Sequence, residues 1–171
     1  MSEPIWLVTL AMDDASFARM DALRRQHFPP ERNKIPAHIT LFHQLPGATR
    51  DRVASTLAHV AATTSCFTMT VSGLWMMGQG VAYTLDAPDA MKLHQSLREA
   101  FHEHLIKQDD RPLKPHITIQ NKVTAEEAKQ LHATLQRSFK PFPIHAVGFD
   151  LWHYLGGPWD YQMRIDFKPG V

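Results

Sequence analysis

The sequence has few of the features that mark secreted, membrane-spanning or charge-driven proteins. Its 171 residues include one cysteine, Cys66, which excludes an internal disulfide framework and a multi-cysteine zinc site. No apolar run approaches the roughly 18 residues that a membrane span needs, and no basic, apolar leader opens the chain. The net charge of +1 gives no overall attraction to nucleic acid or anionic lipid. We therefore expect a cytoplasmic protein without a membrane partner, in which phosphate binding is a local property.

Hydrophobic periodicity divides the chain into strands and helices that recur in one order. Strand-length runs occupy 5–11, 38–43, 66–75, 80–86, 116–119, 143–155 and 159–167. Helical spacing of apolar residues predicts four helices, of which the first three cover 15–27, about 50–62 and 88–105. The third opens with a proline, and the fourth follows the capping-box pattern of Thr124 and Glu127. The order strand, helix, strand, helix, strand thus occurs twice, with a boundary near 78–80, and one strand follows.

Short sequence matches indicate that the two halves are duplicates. WLVTLA near the start matches VAYTLD in the middle, both halves contain His-Ile-Thr, and VSGLW matches VGFDLW. We expect an α+β, bilobal duplicated fold, in which two antiparallel or mixed sheets flank a central cleft and the helices lie outside. No low-complexity linker separates the halves, so the prediction is one domain over 1–171.

The two His-Ile-Thr segments carry the candidate chemistry. Alternate side chains of a strand share a face, so His38 projects with Thr40, and His116 with Thr118. An imidazole exchanges protons near neutral pH, and a threonine hydroxyl can donate to a phosphate oxygen. If the duplication places the two strands face to face, one histidine can deprotonate a nucleophile while the other protonates a leaving oxygen.

The His-x-Thr string alone is a weak signal, because about one occurrence is expected by chance in a chain with eleven histidines. His132 begins such a string within a predicted helix, where residues two apart do not share a face. The other two strings share a preceding proline and basic loop, a following helix and equivalent places in the repeat. A strand histidine is usually structural, but this matched context favours catalysis.

The paired segments IPAHITLFHQLPG and LKPHITIQNKV resemble the two signatures of the two-histidine phosphoesterase superfamily. They are most similar to its bacterial branch of 2′-5′ RNA ligase-like proteins, or RNA 2′,3′-cyclic phosphodiesterases, although LFHQLPG departs from the usual ending of the first signature. The resemblance implies His38 and His116 as base and acid, and Thr40 and Thr118 as phosphate ligands. It implies no metal and no cofactor.

Other candidate ligands are less specific. Arg32, Lys34, Lys114 and Lys122 flank the motifs, where they can attract phosphate or simply be solvated loop charges. Tyr154 is a candidate for contact with a nucleobase, as are Phe42, Trp152 and Trp159, although large aromatics are more often packed in a core. His43 lies on the strand face opposite His38 by simple alternation, which argues against a catalytic role.

The resemblance implies a metal-independent enzyme that hydrolyses 2′,3′-cyclic phosphates, with 2′-5′ ligation as a related activity. The expected partner is an RNA end or a small nucleotide that carries a cyclic phosphate or phosphodiester, and we expect a monomer. The rival hypothesis is a non-catalytic RNA- or nucleotide-binding module, in which the histidines only hold phosphate. Turnover of a small cyclic nucleotide in the presence of a chelator separates the two.

Overall fold

The computed structural model describes residues 3–170 and contains seven strands and four helices. In chain order the elements are β1 (Ile5–Met12), α1 (Asp14–His27), β2 (Ile39–Leu45), α2 (Arg50–Ala61), β3 (Phe67–Met76), β4 (Val81–Asp86), α3 (Pro88–Ala100), β5 (His116–Gln120), α4 (Ala125–Ser138), β6 (Phe142–Tyr154) and β7 (Trp159–Asp166). This order confirms the α+β class and the twofold recurrence of strand, helix, strand, helix, strand.

Local sequence signals explain where the helices begin. Asp13, Thr49 and Thr124 each accept a hydrogen bond from a backbone N–H of the first helical turn, and Thr124 and Glu127 form the predicted capping box. Pro88 opens α3, where its missing N–H costs nothing. The apolar stripe that predicted a helix as far as 105 outlasts α3, which ends at Ala100 and is followed by a single 3₁₀ turn over His102–His104.

The strands expected in two sheets are joined by β6 into one hydrogen-bonded sheet. Its order is β2-β1-β6-β3-β4-β5, with β7 also paired to β6, and every named pair is antiparallel. The start of β6 pairs with β3, whereas most of its length lies between β1 and β7. The motif strands β2 and β5 end this order, yet they contact each other because the sheet curls.

The helices cover the sheet and close the core. Helix α1 packs against β5, α4 against β3 and β4, and α2 against β6 and β7. The apolar face of β2 illustrates the core, since Ile39, Leu41 and Leu45 are at most 1% exposed. Within residues 3–170, no helix is long and apolar enough to cross a membrane.

Strand register corrects the predicted alignment of the two halves. Aligning the strings WLVTLA and VAYTLD makes Thr9 equivalent to Thr84, but the pairing of the strands gives a different equivalence. Leu10 pairs with Ile39 and Tyr83 pairs with Ile117, and these isoleucines occupy the same motif position. Leu10 therefore corresponds to Tyr83, and the string match is displaced by two residues. A two-residue displacement keeps every side chain on its predicted face, which is why the alternation pattern did not detect it.

Candidate active site

The two motif histidines are held in the same way by the backbone before each strand. His38 immediately precedes β2 and His116 opens β5. The Nδ1 atom of His38 lies 2.8 Å from the carbonyl oxygen of Pro36, and that of His116 lies 2.7 Å from the carbonyl oxygen of Lys114. A carbonyl only accepts, so each Nδ1 carries the hydrogen and each neutral ring keeps its lone pair on Nε2. The duplication has thus produced two imidazoles with the same tautomer and the same anchor.

The two motif imidazoles are close enough for the charge of His116 to affect the pKa of His38. The pKa of His38 is lowered to about 4, mainly by burial and to a smaller extent by the charges of Arg24 and His116, against a hydrogen bond to Pro36 that raises it. Burial also lowers the pKa of His116, again opposed by its backbone hydrogen bond. Both rings are therefore neutral near pH 7. We refer to the space between β2 and β5, bordered by these histidines and the motif threonines, as the cleft.

A tryptophan packs against each motif imidazole. The ring of Trp159, which opens β7, lies 4.8 Å from the ring of His38, centre to centre. The ring of Trp75, near the end of β3, lies 5.0 Å from that of His116 and is edge-on to it. These contacts exclude water from one side of each imidazole, which contributes to the burial that keeps both histidines neutral.

The motif threonines lie at matching strand positions but have different neighbours. Thr40 pairs with Thr9 across β1, whereas Thr118 pairs with Ala82 across β4. The Thr118 hydroxyl lies 3.8 Å from the sulfur of Met77, a weak contact that an incoming phosphate oxygen can replace. Both hydroxyls can therefore donate to a phosphate in the cleft.

Arg24, which sequence reasoning missed, joins α1 to the second motif strand. Its side chain is almost fully buried, with only 5% of the residue exposed. It donates from Nη1 to the backbone oxygen of Thr118 and from Nε to the side chain of Asn33, both at 2.9 Å. Burial lowers its pKa to about 10, which leaves the guanidinium charged near neutral pH. In the sequence, Arg24 lies four residues after Met20 and thus on the apolar face of the helix, and that position is a signal for its burial.

A β-bulge overturns the prediction that His43 faces away from His38. Thr9 of β1 pairs with Thr40 of β2, but the preceding residue Val8 pairs with Phe42, which leaves Leu41 as an extra residue in β2. Leu41 and Phe42 are both fully buried. The extra residue reverses the alternation, so His43 returns to the face of His38. In agreement, the charge of His43 lowers the pKa of both motif histidines.

The buried carboxylate of Asp109 fixes His43 and the bulge together. One oxygen lies 2.7 Å from Nδ1 of His43, and the other accepts from the backbone N–H groups of His43 at 2.8 Å and Gln44 at 3.1 Å. Asp109 is 3% exposed and comes from the loop before β5. A segment of the second half thus holds the backbone of the first motif strand.

The predicted loop and aromatic ligands are more dispersed. The side chains of Arg32 and Lys114 are exposed. Lys114 contacts His116 through its backbone carbonyl and not through its ammonium group. Tyr154 lines a cavity with Pro4, Ile5 and His153 that does not include a motif residue. Trp159 lies at His38, as described above. His132 lies on α4, as predicted.

A second feature missed from sequence is an ion pair beside His38. The guanidinium of Arg164 donates from Nε and Nη2 to the two oxygens of Asp150, at 3.0 and 3.2 Å. Asp150 is 8% exposed and lies on β6 within an apolar run, and that burial alone indicates that it needs a partner. Within residues 3–170, no group of three or more histidine, cysteine, aspartate or glutamate side chains is arranged to hold a metal ion.

Comparisons with known proteins agree with this architecture. The family model of the 2′-5′ RNA ligase superfamily matches residues 12–158. The structure of TT0787 from Thermus thermophilus superposes with a TM-score of 0.68 at 16% identity, over 98% of this chain and 100% of that one. E. coli LigT in its apo form gives 0.61 at 20% identity, over 98% and 99%. LigT complexed with 3′-AMP gives 0.59 at 20% identity, over 96% and 99%. No curated protein sequence matches the chain.

Proposed function

Because the chain belongs to the 2′-5′ RNA ligase superfamily, we propose that it hydrolyses 2′,3′-cyclic phosphates of nucleotides or RNA ends without a metal. The observation that carries this proposal is the matched pair of imidazoles. Each is anchored through Nδ1 to the carbonyl two residues before it and keeps Nε2 for the substrate. Two equivalent proton carriers with threonine hydroxyls beside them suit an in-line displacement at phosphorus.

The reaction needs one proton removed and one supplied. One imidazole takes a proton from water as the water oxygen bonds to phosphorus. The other, protonated, gives its proton to the departing ribose oxygen, which leaves a 2′-phosphomonoester and a free 3′-hydroxyl. The motif threonines hold the non-bridging oxygens, whose negative charge grows during the attack. Ligation to a 2′-5′ linkage uses the same two transfers with a ribose hydroxyl in place of water.

The lowered histidine pKa values fit this scheme once the substrate is bound. Both imidazoles are neutral near pH 7, so the acid must gain its proton when the phosphate anion enters. A phosphate charge beside an imidazole favours the protonated form and restores the acid. The buried guanidinium of Arg24 adds positive charge on the same side and favours an anionic ligand. The E. coli LigT complexes with 3′-AMP and with phosphate support such a ligand for this fold.

Turnover of adenosine 2′,3′-cyclic phosphate by the EDTA-treated protein tests this proposal. The expected product is adenosine 2′-phosphate, and we expect its formation to be lost in His38→Ala and kept in His132→Ala. Binding of the nucleotide without product in the wild type would replace the enzyme with a phosphate-binding module. Loss of activity in EDTA with rescue by a divalent metal would contradict the metal-free mechanism. The proposal retains the sequence-based expectation of a monomer in a reducing cytoplasm.

A further inference from the structure

A cavity opens directly beside His38 and has no catalytic assignment in the mechanism above. Its volume is about 170 Å³, and His38 forms part of its wall. Ligand pockets that bury a whole drug-sized molecule measure about 300–1,000 Å³, so this one accommodates a single ring system and leaves the rest of a ligand outside. A ligand that fills it from the cleft therefore extends from His38 into the cavity.

The walls of this cavity are suited to a flat ring. Trp152, Tyr161 and Phe17 contribute aromatic surface, and the rings of Trp152 and Tyr161 lie 5.2 Å apart at 75°. Phe17 and Tyr161 are 37% and 49% exposed, which is unusual for large aromatic residues and places them at an open rim. The indole N–H of Trp152 donates to the Thr9 hydroxyl at 3.0 Å, so that ring is fixed in orientation before a ligand arrives.

The polar wall of the cavity disfavours a second phosphate. Asp150 and Arg164 both line it, and their bidentate pairing offsets their charges. A carboxylate oxygen repels an anion but accepts a hydrogen bond from a ring or amino N–H. The guanidinium has further N–H groups that can donate to a ring nitrogen or carbonyl. Adjacent acceptor and donor groups beside aromatic walls match the edge and the face of a nucleobase.

The equivalent position of the second half has a different residue. Strand register pairs Thr9 with Asp150 in the first half and Ala82 with Trp75 in the second, so Asp150 and Trp75 correspond. The indole of Trp75 packs edge-on against His116 and occupies the space beside it. The cavity beside His38 is therefore a departure from the repeat and is not required by the fold.

We propose that this cavity binds the nucleobase of the substrate, with stacking on Trp152 and Tyr161 and hydrogen bonding to Asp150 and Arg164. The inference rests on the proposed function, because the base enters the cavity only when its phosphate lies at the histidines. It makes the protein an enzyme for nucleoside cyclic phosphates, with the base held on the side of the first motif.

The test compares adenosine 2′,3′-cyclic phosphate with the base-free analogue, 1-O-methylribose 2,3-cyclic phosphate. We expect the wild type to favour the nucleotide by about 10- to 100-fold in kcat/KM, the range that one stacked base provides. Tyr161→Ala at the rim and Asp150→Asn in the wall should each bring this ratio towards one. Asp110→Asn removes a more exposed aspartate–arginine pair elsewhere, with Arg98 at 3.1 Å, and should leave the ratio unchanged.

The outcomes separate this inference from the function on which it rests. Equal turnover of both substrates by the wild type would overturn the base pocket and leave the hydrolase intact. Turnover of neither substrate would contradict the hydrolase, and calorimetry then judges the pocket by itself. For that measurement we expect adenosine 2′-phosphate to bind more tightly than ribose 2-phosphate, and Tyr161→Ala to remove the difference. Equal affinities of the wild type for the two ligands would contradict the pocket.

Discussion

The two halves of the molecule support their histidines alike and surround them differently. Both place an imidazole with its Nδ1–H on a backbone carbonyl, and a threonine two residues later. From each motif threonine, a row of cross-strand partners runs across the sheet, and these partners are polar in the first half and apolar in the second. The first row is Thr40, Thr9, Asp150 and Arg164, and the second is Thr118, Ala82 and Trp75. The repeated backbone therefore fixes the two imidazoles in the same way, while the residues beside them differ between the halves.

The largest expected effect is the loss of activity when either motif histidine is replaced. His38→Ala and His116→Ala each remove one proton carrier, and each should lower kcat for a cyclic nucleotide by about 10²–10⁴-fold. Because the two act on one phosphate as a unit, the double variant should be little worse than the more damaged single variant. Steady-state kinetics on folded protein, checked by circular dichroism, measures this.

A variant outside the cleft controls for the motif string. His132→Ala removes the histidine of the His-x-Thr string on α4 and should leave kcat close to that of the wild type. Near-normal kcat in either folded motif variant, or a collapse in His132→Ala, would contradict the assignment of the two histidines.

The next largest effect is expected when either motif threonine is replaced, which compares the two hydroxyls directly. Thr40→Ala and Thr118→Ala each remove a donor to phosphate oxygens, and each should lower kcat by up to about 10²–10³-fold with little change in KM. The reason is that charge on these oxygens increases in the transition state. Thr40→Ser and Thr118→Ser keep the hydroxyl and should restore most of kcat. A change confined to KM would show that the bond is equally strong in the ground state.

Arg24 tests whether the halves depend on each other. Arg24→Gln removes the guanidinium that reaches the backbone oxygen of Thr118, and should cost about 1–3 kcal/mol of unfolding free energy. It should also lower kcat, because the backbone at Thr118 loses its hydrogen bond to α1. Arg25→Gln is the matched control, since that exposed neighbour only pairs with Asp21 within the helix. Urea unfolding and kinetics measure both effects, and equal results for the two variants would refute the link.

The smallest expected effect is a pH dependence of stability. The pKa of His38 is lowered to about 4 on folding, so the unfolded chain binds its proton first as the pH falls below about 6.5. Stability should therefore decrease on acidification from about pH 7 to about pH 4.5. His38→Gln should reduce that decrease, and by more than His116→Gln. Urea midpoints at the two pH values measure it, and an unchanged decrease in His38→Gln would contradict the burial of that ring.

The sequence was sufficient where the signal is local. Capping residues, Pro88 and the alternation of apolar residues located nearly every element, and the matched His-Ile-Thr context predicted the equivalent strand positions of the two histidines. It was insufficient where a feature depends on cross-strand pairing. The bulge at Leu41 and Phe42, which returns His43 to the cleft face, is fixed by β1 and by the distant carboxylate of Asp109. The Asp150–Arg164 pair and its cavity depend equally on the register of β6 with β7.

The most direct test of a shared phosphate site is a titration of imidazole nitrogens by NMR. Inorganic phosphate is added to the protein labelled with ¹⁵N in histidine, with assignments taken from the single variants. We expect the Nε2 signals of His38 and His116 to shift together with one dissociation constant, while His132 does not move. Shifts of only one motif histidine, or two unrelated constants, would contradict a single phosphate held between the two halves.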